Sequence, residues 1–568
     1  MTKFTTALLL ALPFQAAARA VAGNCTGNFE AISAADYVAA INPGWNLGNT
    51  LDATPDEGSW NNPPVQPVTF TEVKAAGFKS VRIPVTYADH FTDTSPDWTI
   101  DPAWLQRVSD VVDEALDAGL YVLTNIHHDS WMWADVTAAD ANLTAIEERF
   151  YQTWLQIGKT LACKPSSVAL EPINEPPGNT EADAQEINKL NDIFLDALKD
   201  SGGFNTQRAV TLCGAGMDSI KTSEWFEAPV GYDNPWALQY HYYSPYDFIF
   251  SAWGKTILAD TDIPTVQADL ENIRDNFTGI PLLIGEFDAS PTSTEPAARR
   301  KYMDVVIQKA TELNTSTIVW DNGIDQFDRV NNVWRDPQSL EIILNAAKGI
   351  SNSLSDYTTD ALAPEQTSSA YIFHKVGDEV SEQTISVSLN GNTLISITTE
   401  NNTNLTSPAD YSSSGGNITF TTSFLSDYFS PDAKPGSKAN LTLAFSAGAT
   451  AGVNLVQWNL PEINATSSTA ISGADLHIPV TYAGVAQPAA VKMVRSDGVI
   501  LFDDWTQYLG PLQAGYATYS GQWNWDGSSL IITAATVDAV IAAGVSTVLT
   551  FDFFPRGPGN SVNYTLNV

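Results

Sequence analysis

The sequence predicts a (β/α)₈ barrel followed by two β-sandwich modules. Three observations carry that prediction. Apolar, strand-like runs alternate with amphipathic stretches from Asn42 to Gly349. After Tyr357 the helical periodicity stops, and the chain turns rich in Thr, Ser, Asn and Gly with period-two alternation. A weak internal repeat then divides this remainder in two.

Eight runs read as strands: Pro43–Leu47, Ser80–Val85, Leu120–Ile126, Val168–Asn174, Arg208–Cys213, Trp236–Tyr240, Pro281–Gly285 and Ser316–Trp320. Between them lie Asp101–Ala118, Ala145–Leu161, Ala182–Lys199, Thr265–Asn276, Ala297–Leu313 and Gln338–Ala347, which read as helices. In the first of these, Asp101 is placed to cap and Pro102 sits in the first turn. Leu105, Val108, Val111, Val112 and Leu116 form its apolar stripe, and Gly119 stops it. Strands alternating with helices at this length fit a barrel. The alternative, an open doubly wound sheet, normally carries a Gly-rich phosphate loop after an early strand, and the sequence has none. A barrel brings all strand carboxyl ends to one face, so Arg82, His127, Glu175, His241, Glu286 and Trp320 are expected to converge.

The repeat pairs Asn417–Phe420 and Leu441–Gly448 with Leu530–Thr533 and Leu549–Phe554. Each copy ends in an alternating strand, Val453–Trp458 and Val562–Val568. Two sandwiches of about 100 residues each follow from this spacing. The expected domains are 23–357, 358–463 and 464–568, with Asp360–Ser368 as a linker or first edge strand.

The chain has 568 residues and a formal net charge of -37. Such a field repels nucleic acid and anionic membranes and suits a neutral ligand such as a polysaccharide. Lys3, the apolar run Ala7–Leu12 and the small residues Ala20–Ala22 read as a secretory signal over residues 1–22, so a secreted, extracellular protein is expected. Export gives meaning to Asn-x-Ser/Thr sites at Asn24, Asn142, Asn276, Asn314, Asn401, Asn404, Asn417, Asn440, Asn464 and Asn563. The three cysteines, Cys25, Cys163 and Cys213, allow one bridge and leave its pairing open. No Cys/His cluster has metal-ligand spacing, so neither metal nor cofactor is expected. A monomer is expected.

Val168–Pro177 starts as a buried strand and ends in Asn174, Glu175 and two prolines. A carboxylate at such a strand end is costly as core. Pro281–Phe287 repeats the pattern and delivers Glu286. Two strand-end carboxylates suggest glycoside hydrolysis, with Glu175 as general acid/base and Glu286 as nucleophile. A nucleophile that must stay ionised needs a cation, and Arg82, inside an apolar strand, needs a partner. Asn174 is placed to hold a sugar hydroxyl. His127 and His128 end the third strand, and His241 and Tyr243 end the sixth. Trp320 offers an indole face to a pyranose. Trp45, Trp60, Trp131 and Trp133 follow the first and third strands and suggest a glycan cleft.

Gly44–Leu51, Val81–Val85, Asn125–His128, Ile173–Pro176, His241–Tyr243, Ile284–Phe287 and Trp320–Gly323 together resemble glycoside hydrolase family 5, the large cellulase family, and within it subfamily 4. That resemblance implies a (β/α)₈ barrel, retention of configuration and no metal. It implies Glu175 as acid/base and Glu286 as nucleophile, with Arg82, His127, Asn174, His241, Tyr243 and Trp320 as the surrounding shell. His128 is a further candidate for support, and Trp45, Asn46 and Asn322 are further candidates for substrate contact. Pro177 and Asp288 depart from the usual family pattern beside the two glutamates. Val387–Leu394, Ala409–Tyr411 and Ala444–Gly448 resemble the immunoglobulin-like X-2 type carbohydrate-binding module. The last segment is similar to family 46 modules, with Trp505, Tyr508, Trp523 and Trp525 as candidate glucan platforms. The expected activity is that of an endo-β-1,4-glucanase on β-glucan (cellulose, mixed-linkage glucan or xyloglucan). The alternatives are xyloglucan, mixed-linkage or mannan specificity, or a non-catalytic glucan-binding protein.

Overall fold

The computed structural model describes residues 25–568. The signal expected over 1–22 and the sequon at Asn24 lie outside the described residues.

Eight parallel strands close into a barrel: β1 (Gly44–Asn46), β2 (Ser80–Ile83), β3 (Tyr121–Asn125), β4 (Val168–Glu171), β5 (Val210–Asp218), β6 (Trp236–His241), β7 (Leu282–Glu286) and β8 (Thr315–Val319). All eight overlap the predicted runs: β1 to β4 lie within them, β5 and β6 run on to Asp218 and His241 past the predicted ends at Cys213 and Tyr240, and β7 and β8 are displaced by one residue. The predicted helices form as well. Asp101 caps Pro102–Asp117 by accepting from the Ala103 N–H. Helices Pro67–Ala76 and Ser219–Trp225 escaped the sequence reading. The helix Ala34–Ala40 plugs the barrel floor, where Tyr37 and Val38 pack on Leu123, Ala169, Ala209, Leu283 and Ile318. Cys25 and Cys163 are joined by a disulfide, and Cys213 is a buried free thiol.

A small hairpin, β9 (Phe327–Asp328) and β10 (Val333–Trp334), follows the barrel. The first sandwich comprises β11 (Leu354–Ser355), β12 (Tyr371–Lys375), β13 (Gln383–Ser388), β14 (Leu394–Thr399), β15 (Tyr411–Ser414), β16 (Asn417–Phe420), β17 (Gly436–Phe445) and β18 (Ala451–Trp458). Its sheets run β11-β13-β16-β15 and β12-β18-β17-β14. The second comprises β19 (Glu462–Ile463), β20 (Ser467–Thr469), β21 (Leu476–Thr481), β22 (Pro488–Arg495), β23 (Trp523–Trp525), β24 (Ser529–Ile532), β25 (Thr547–Phe553) and β26 (Ser561–Asn567). Its sheets run β19-β21-β24-β23 and β20-β26-β25-β22, the same order strand for strand. Both also pair their second and last strands in parallel. Leu354–Ser355 and Glu462–Ile463 thus open the two sandwiches, slightly upstream of the expected borders at 357/358 and 463/464.

The first sandwich holds the barrel's flank. Thr450 donates to Glu341, and Asn390 donates to the Asn352 carbonyl. The second reaches the rim loops. Arg556, buried, donates to the carbonyls of Gly254 and Leu512. Gly254 has φ +69°, and a Cβ there would lie 2.7 Å from Tyr516, so only glycine admits this contact.

Candidate active site

Strand register assembles the site. Asn46 lies opposite Arg82, Asn125 opposite Glu171, and His241 opposite Glu286. Arg82 is fully buried at the centre. Its Nε and Nη2 grip both oxygens of Glu171 at 2.7 Å each. Nη1 donates to Glu286 Oε1 at 2.5 Å and to Asn46 Oδ1 at 3.0 Å, and Nη2 also reaches Asn174 Oδ1 at 2.8 Å. Burial alone would lower the guanidinium pKa; Glu171 and Glu286 outweigh it and raise it, so the cation is permanent. Glu171, also buried, is held below the usual carboxylate range because Arg82 outweighs its desolvation.

Glu286 is buried at the end of β7. Its Oε2 accepts from the Tyr243 hydroxyl at 3.0 Å. Burial pushes its pKa up, His241 and Arg82 pull it down, and the net direction is upward. Glu175 follows β4 and is partly open to solvent, its side chain 25 % exposed. Its backbone has φ +40°, a conformation a non-glycine residue adopts at a cost. His241 Nδ1 sits 2.7 Å from Glu175 Oε1 and 3.6 Å from Glu286 Oε2. Oxygens of the two glutamates and a nitrogen of His241 all lie within 4.8 Å of one another. Two carboxyl groups this close, one buried against a cation and one facing solvent, are placed to divide acid and nucleophile roles.

The rim is aromatic. Trp320 lies parallel to His127, with centroids 6.0 Å apart, and packs over Gly48, where a Cβ would come 2.7 Å from the indole. Trp60 and Trp131, 40 % and 50 % exposed, flank His128. His128 also lies 3.4 Å from Asp52 Oδ2.

Several expected substrate contacts fall elsewhere. Asn46 points into the barrel and is spent on Arg82 and on the carbonyls of Gly285 and Val319. Strand alternation therefore turns Trp45 the other way, where it is buried and its indole N–H donates to Asp321 at 2.7 Å. Neither has a free face for sugar. Trp133 covers the Arg149 guanidinium and donates to Asp129, and so supports its loop from behind. Asn322 Oδ1 accepts from the Ile324 N–H, and its carbonyl accepts from Asn61 and Asn62. Trp523 is 3 % exposed and sits in the core of the second sandwich. Trp525 is half-buried and its indole donates to the Thr292 carbonyl of the barrel. Trp505 and Tyr508, 43 % and 83 % exposed, remain open, with Trp505 edge-on to Trp253 at 4.7 Å. The departure at Asp288 is internal: the side chain accepts from Gln326, and burial with Asp325 nearby raises its pKa.

Sequence reasoning missed Glu171 and Asn125. The signal was available, because an arginine in an apolar strand demands a buried acid, and Glu171 stands inside the predicted run Val168–Asn174 as the last residue of β4.

Residues 45–326 match the cellulase family, glycosyl hydrolase family 5, and residues 366–455 match carbohydrate binding domain X2. Endoglucanase B of Paenibacillus lautus is 31 % identical over 482 residues, covering 81 % of each chain. This chain belongs to glycosyl hydrolase family 5. It is a glycoside hydrolase. Among solved structures, a tri-modular subfamily 4 endo-β-1,4-glucanase from Bacillus licheniformis, complexed with cellotetraose, aligns over 94 % of this chain and 99 % of that one, at 32 % identity and TM-score 0.84. The tri-modular endo-β-1,4-glucanase B of Bacillus halodurans aligns over 94 % and 97 %, at 26 % identity and TM-score 0.77. A family 5 xyloglucanase from Paenibacillus pabuli matches 55 % of this chain and 99 % of its own, at 31 % identity and TM-score 0.52.

Proposed function

We propose that this family 5 enzyme is a secreted endo-β-1,4-glucanase that retains anomeric configuration. The observation that carries the reading is the pair Glu175 and Glu286, with oxygens within 4.8 Å and Arg82 and Tyr243 directed at only one of them. A separation of about 5 Å leaves no room for a water between the carboxylates and suits direct attack by one. Glu286 attacks the anomeric carbon, and the glycosidic C–O bond breaks as Glu175 protonates the leaving oxygen. Glu175 then takes a proton from water, whose oxygen attacks the same carbon and releases Glu286. His241, within reach of both glutamates, links their electrostatics across the two steps. The relatives named as endoglucanases support a glucan substrate, and the exposed Trp60 and Trp131 with the half-buried Trp320 supply stacking faces along the rim. The protein acts as a monomer on soluble or solid β-glucan.

The test combines substrates and variants. The mature protein is expected to release reducing ends from carboxymethyl cellulose, mixed-linkage glucan and xyloglucan, with a fast viscosity fall, and to leave mannan intact. Glu175→Gln should lose about 10²–10⁴-fold on polymer and far less on aryl glycosides with good leaving groups. Glu286→Gln should be inactive on both. Equal losses of Glu175→Gln on both substrate types would overturn the acid assignment. No reducing ends from any glucan would overturn the activity.

A further inference from the structure

Behind the two glutamates lies a polar relay that the proposed chemistry leaves unused. Asn125 Oδ1 accepts from the Val85 backbone N–H at 3.2 Å, and its Nδ2 donates to Glu171 Oε1 at 2.8 Å. Val85 N–H is only a donor and the Glu171 carboxylate only an acceptor, so the orientation of this amide is fixed. The same Nδ2 lies 3.0 Å from His127 Nδ1. An amide N–H facing Nδ1 requires a lone pair there, which puts the ring proton of neutral His127 on Nε2. Among the described residues Nε2 has no partner, and the ring lies parallel to Trp320 at the rim. Both oxygens of Glu171 also accept from Arg82, one from Nε and one from Nη2; the second Nη2 proton goes to Asn174, which leaves Nη1 for Glu286 and Asn46.

We propose that Glu171 is a positioning residue of the active site: it aims Arg82 at Glu286 and, through Asn125, fixes His127 as an Nε2–H donor toward bound sugar. A hydroxyl of the substrate meets a donor whose proton is already placed, so no tautomer has to be changed on binding. The glutamine analogue cannot substitute. One end of its amide is a donor, so one of the contacts to Arg82 or Asn125 reverses sign. The kinetic consequence rests on the glucanase reading; the ring tautomer does not.

The experiment uses the full chain labelled with ¹⁵N-histidine. Two-bond ¹H–¹⁵N spectra of the imidazoles at neutral pH report which nitrogen carries the proton, and His127→Gln identifies the ring by loss of its signals. A neutral His127 protonated on Nε2 is the expected result. A ring protonated on Nδ1, or on both nitrogens, would overturn the relay without any need for a variant. On a soluble β-glucan, Glu171→Gln should lower kcat at least tenfold with KM within about twofold, and Glu171→Asp should recover part of the loss. A Glu171→Gln kcat within twofold of wild type would reduce Glu171 to a packing role. Should the wild type cleave no glucan, the activity fails while the ring spectra still decide this proposal.

Discussion

Two buried Arg–carboxylate clusters in this barrel have opposite stoichiometry. At the centre, one guanidinium, Arg82, serves two acids, Glu171 and Glu286. On the outer wall, one acid, Asp336, serves two guanidiniums, Arg299 at 2.6 Å and Arg300 at 3.0 Å. Burial penalises every member of both clusters. In the outer one, two cations outweigh that penalty and hold Asp336 far below the usual carboxylate range. In the central one, Glu171 takes most of the available cation, and the Glu286 pKa ends up raised. A surplus of cation makes an inert tie. A surplus of acid leaves one carboxylate that answers to pH and to substrate.

The contrast is open to four tests. The largest effect is expected at the tie itself. Asp336→Ala strands the buried Arg299 and the partly buried Arg300 and should cost about 3–5 kcal/mol of stability, with kcat unchanged in the protein that remains folded; chemical denaturation alongside initial rates checks both. A large fall in kcat would show that the outer cluster is not merely structural. Next, Arg82→Met should lower kcat about 10²–10³-fold and move the acidic limb of the rate profile to higher pH, because Glu286 loses a cation that lowers its pKa. An unmoved limb would break the link between Arg82 and the nucleophile.

Third, the wild type should lose activity before it loses the contribution of Asp336. In the proposed mechanism Glu286 must be ionised, and its raised pKa puts the activity loss above the range of an ordinary glutamate as pH falls. Asp336 is depressed in the folded state, so its contribution is complete above the unfolded aspartate pKa of about 3.9 and fades only below it. Parallel rate and unfolding measurements from about pH 7 to pH 3 check the order. The smallest effect belongs to Tyr243→Phe. Losing one hydrogen bond to a charged acceptor, about 1.5–3 kcal/mol, should reduce kcat/KM about 10- to 150-fold and move the acidic limb upward.

The same contrast explains what could be read in advance. The eight strands were legible because a parallel sheet covered on both faces needs near-continuous apolar runs, and few other patterns supply them. The two sandwiches were legible as a repeat because their strand order is the same. Glu286 and Glu175 stood out because each ends an apolar run with a charge. Glu171 did not, because it sits inside its run, and which strands face each other across a barrel interior is set by closure. Trp45 and Asn46 were misread for a related reason. Next to a strand end, one position of shift in the alternation decides between cleft, barrel axis and helix layer. Trp523 shows the same in a sandwich: in Trp-Asn-Trp the two indoles share a face, and that face is the core side, where β23 pairs Trp523 with Ile532. Cysteine pairing was open because three residues allow three bridges and only the folded chain brings Cys25 to Cys163.

That bridge has a consequence for how the protein is made. It closes a loop of 138 residues, which contains β1, β2 and β3 and the helices that pack on them. In the chain-entropy account a closed loop of that length withholds freedom from the unfolded chain worth up to about 5 kcal/mol, an amount comparable with the whole stability of many domains. A chain produced under reducing conditions would therefore carry the same contacts and a less durable barrel. Heat resistance, in this protein, is in part a record of the redox conditions under which it folded.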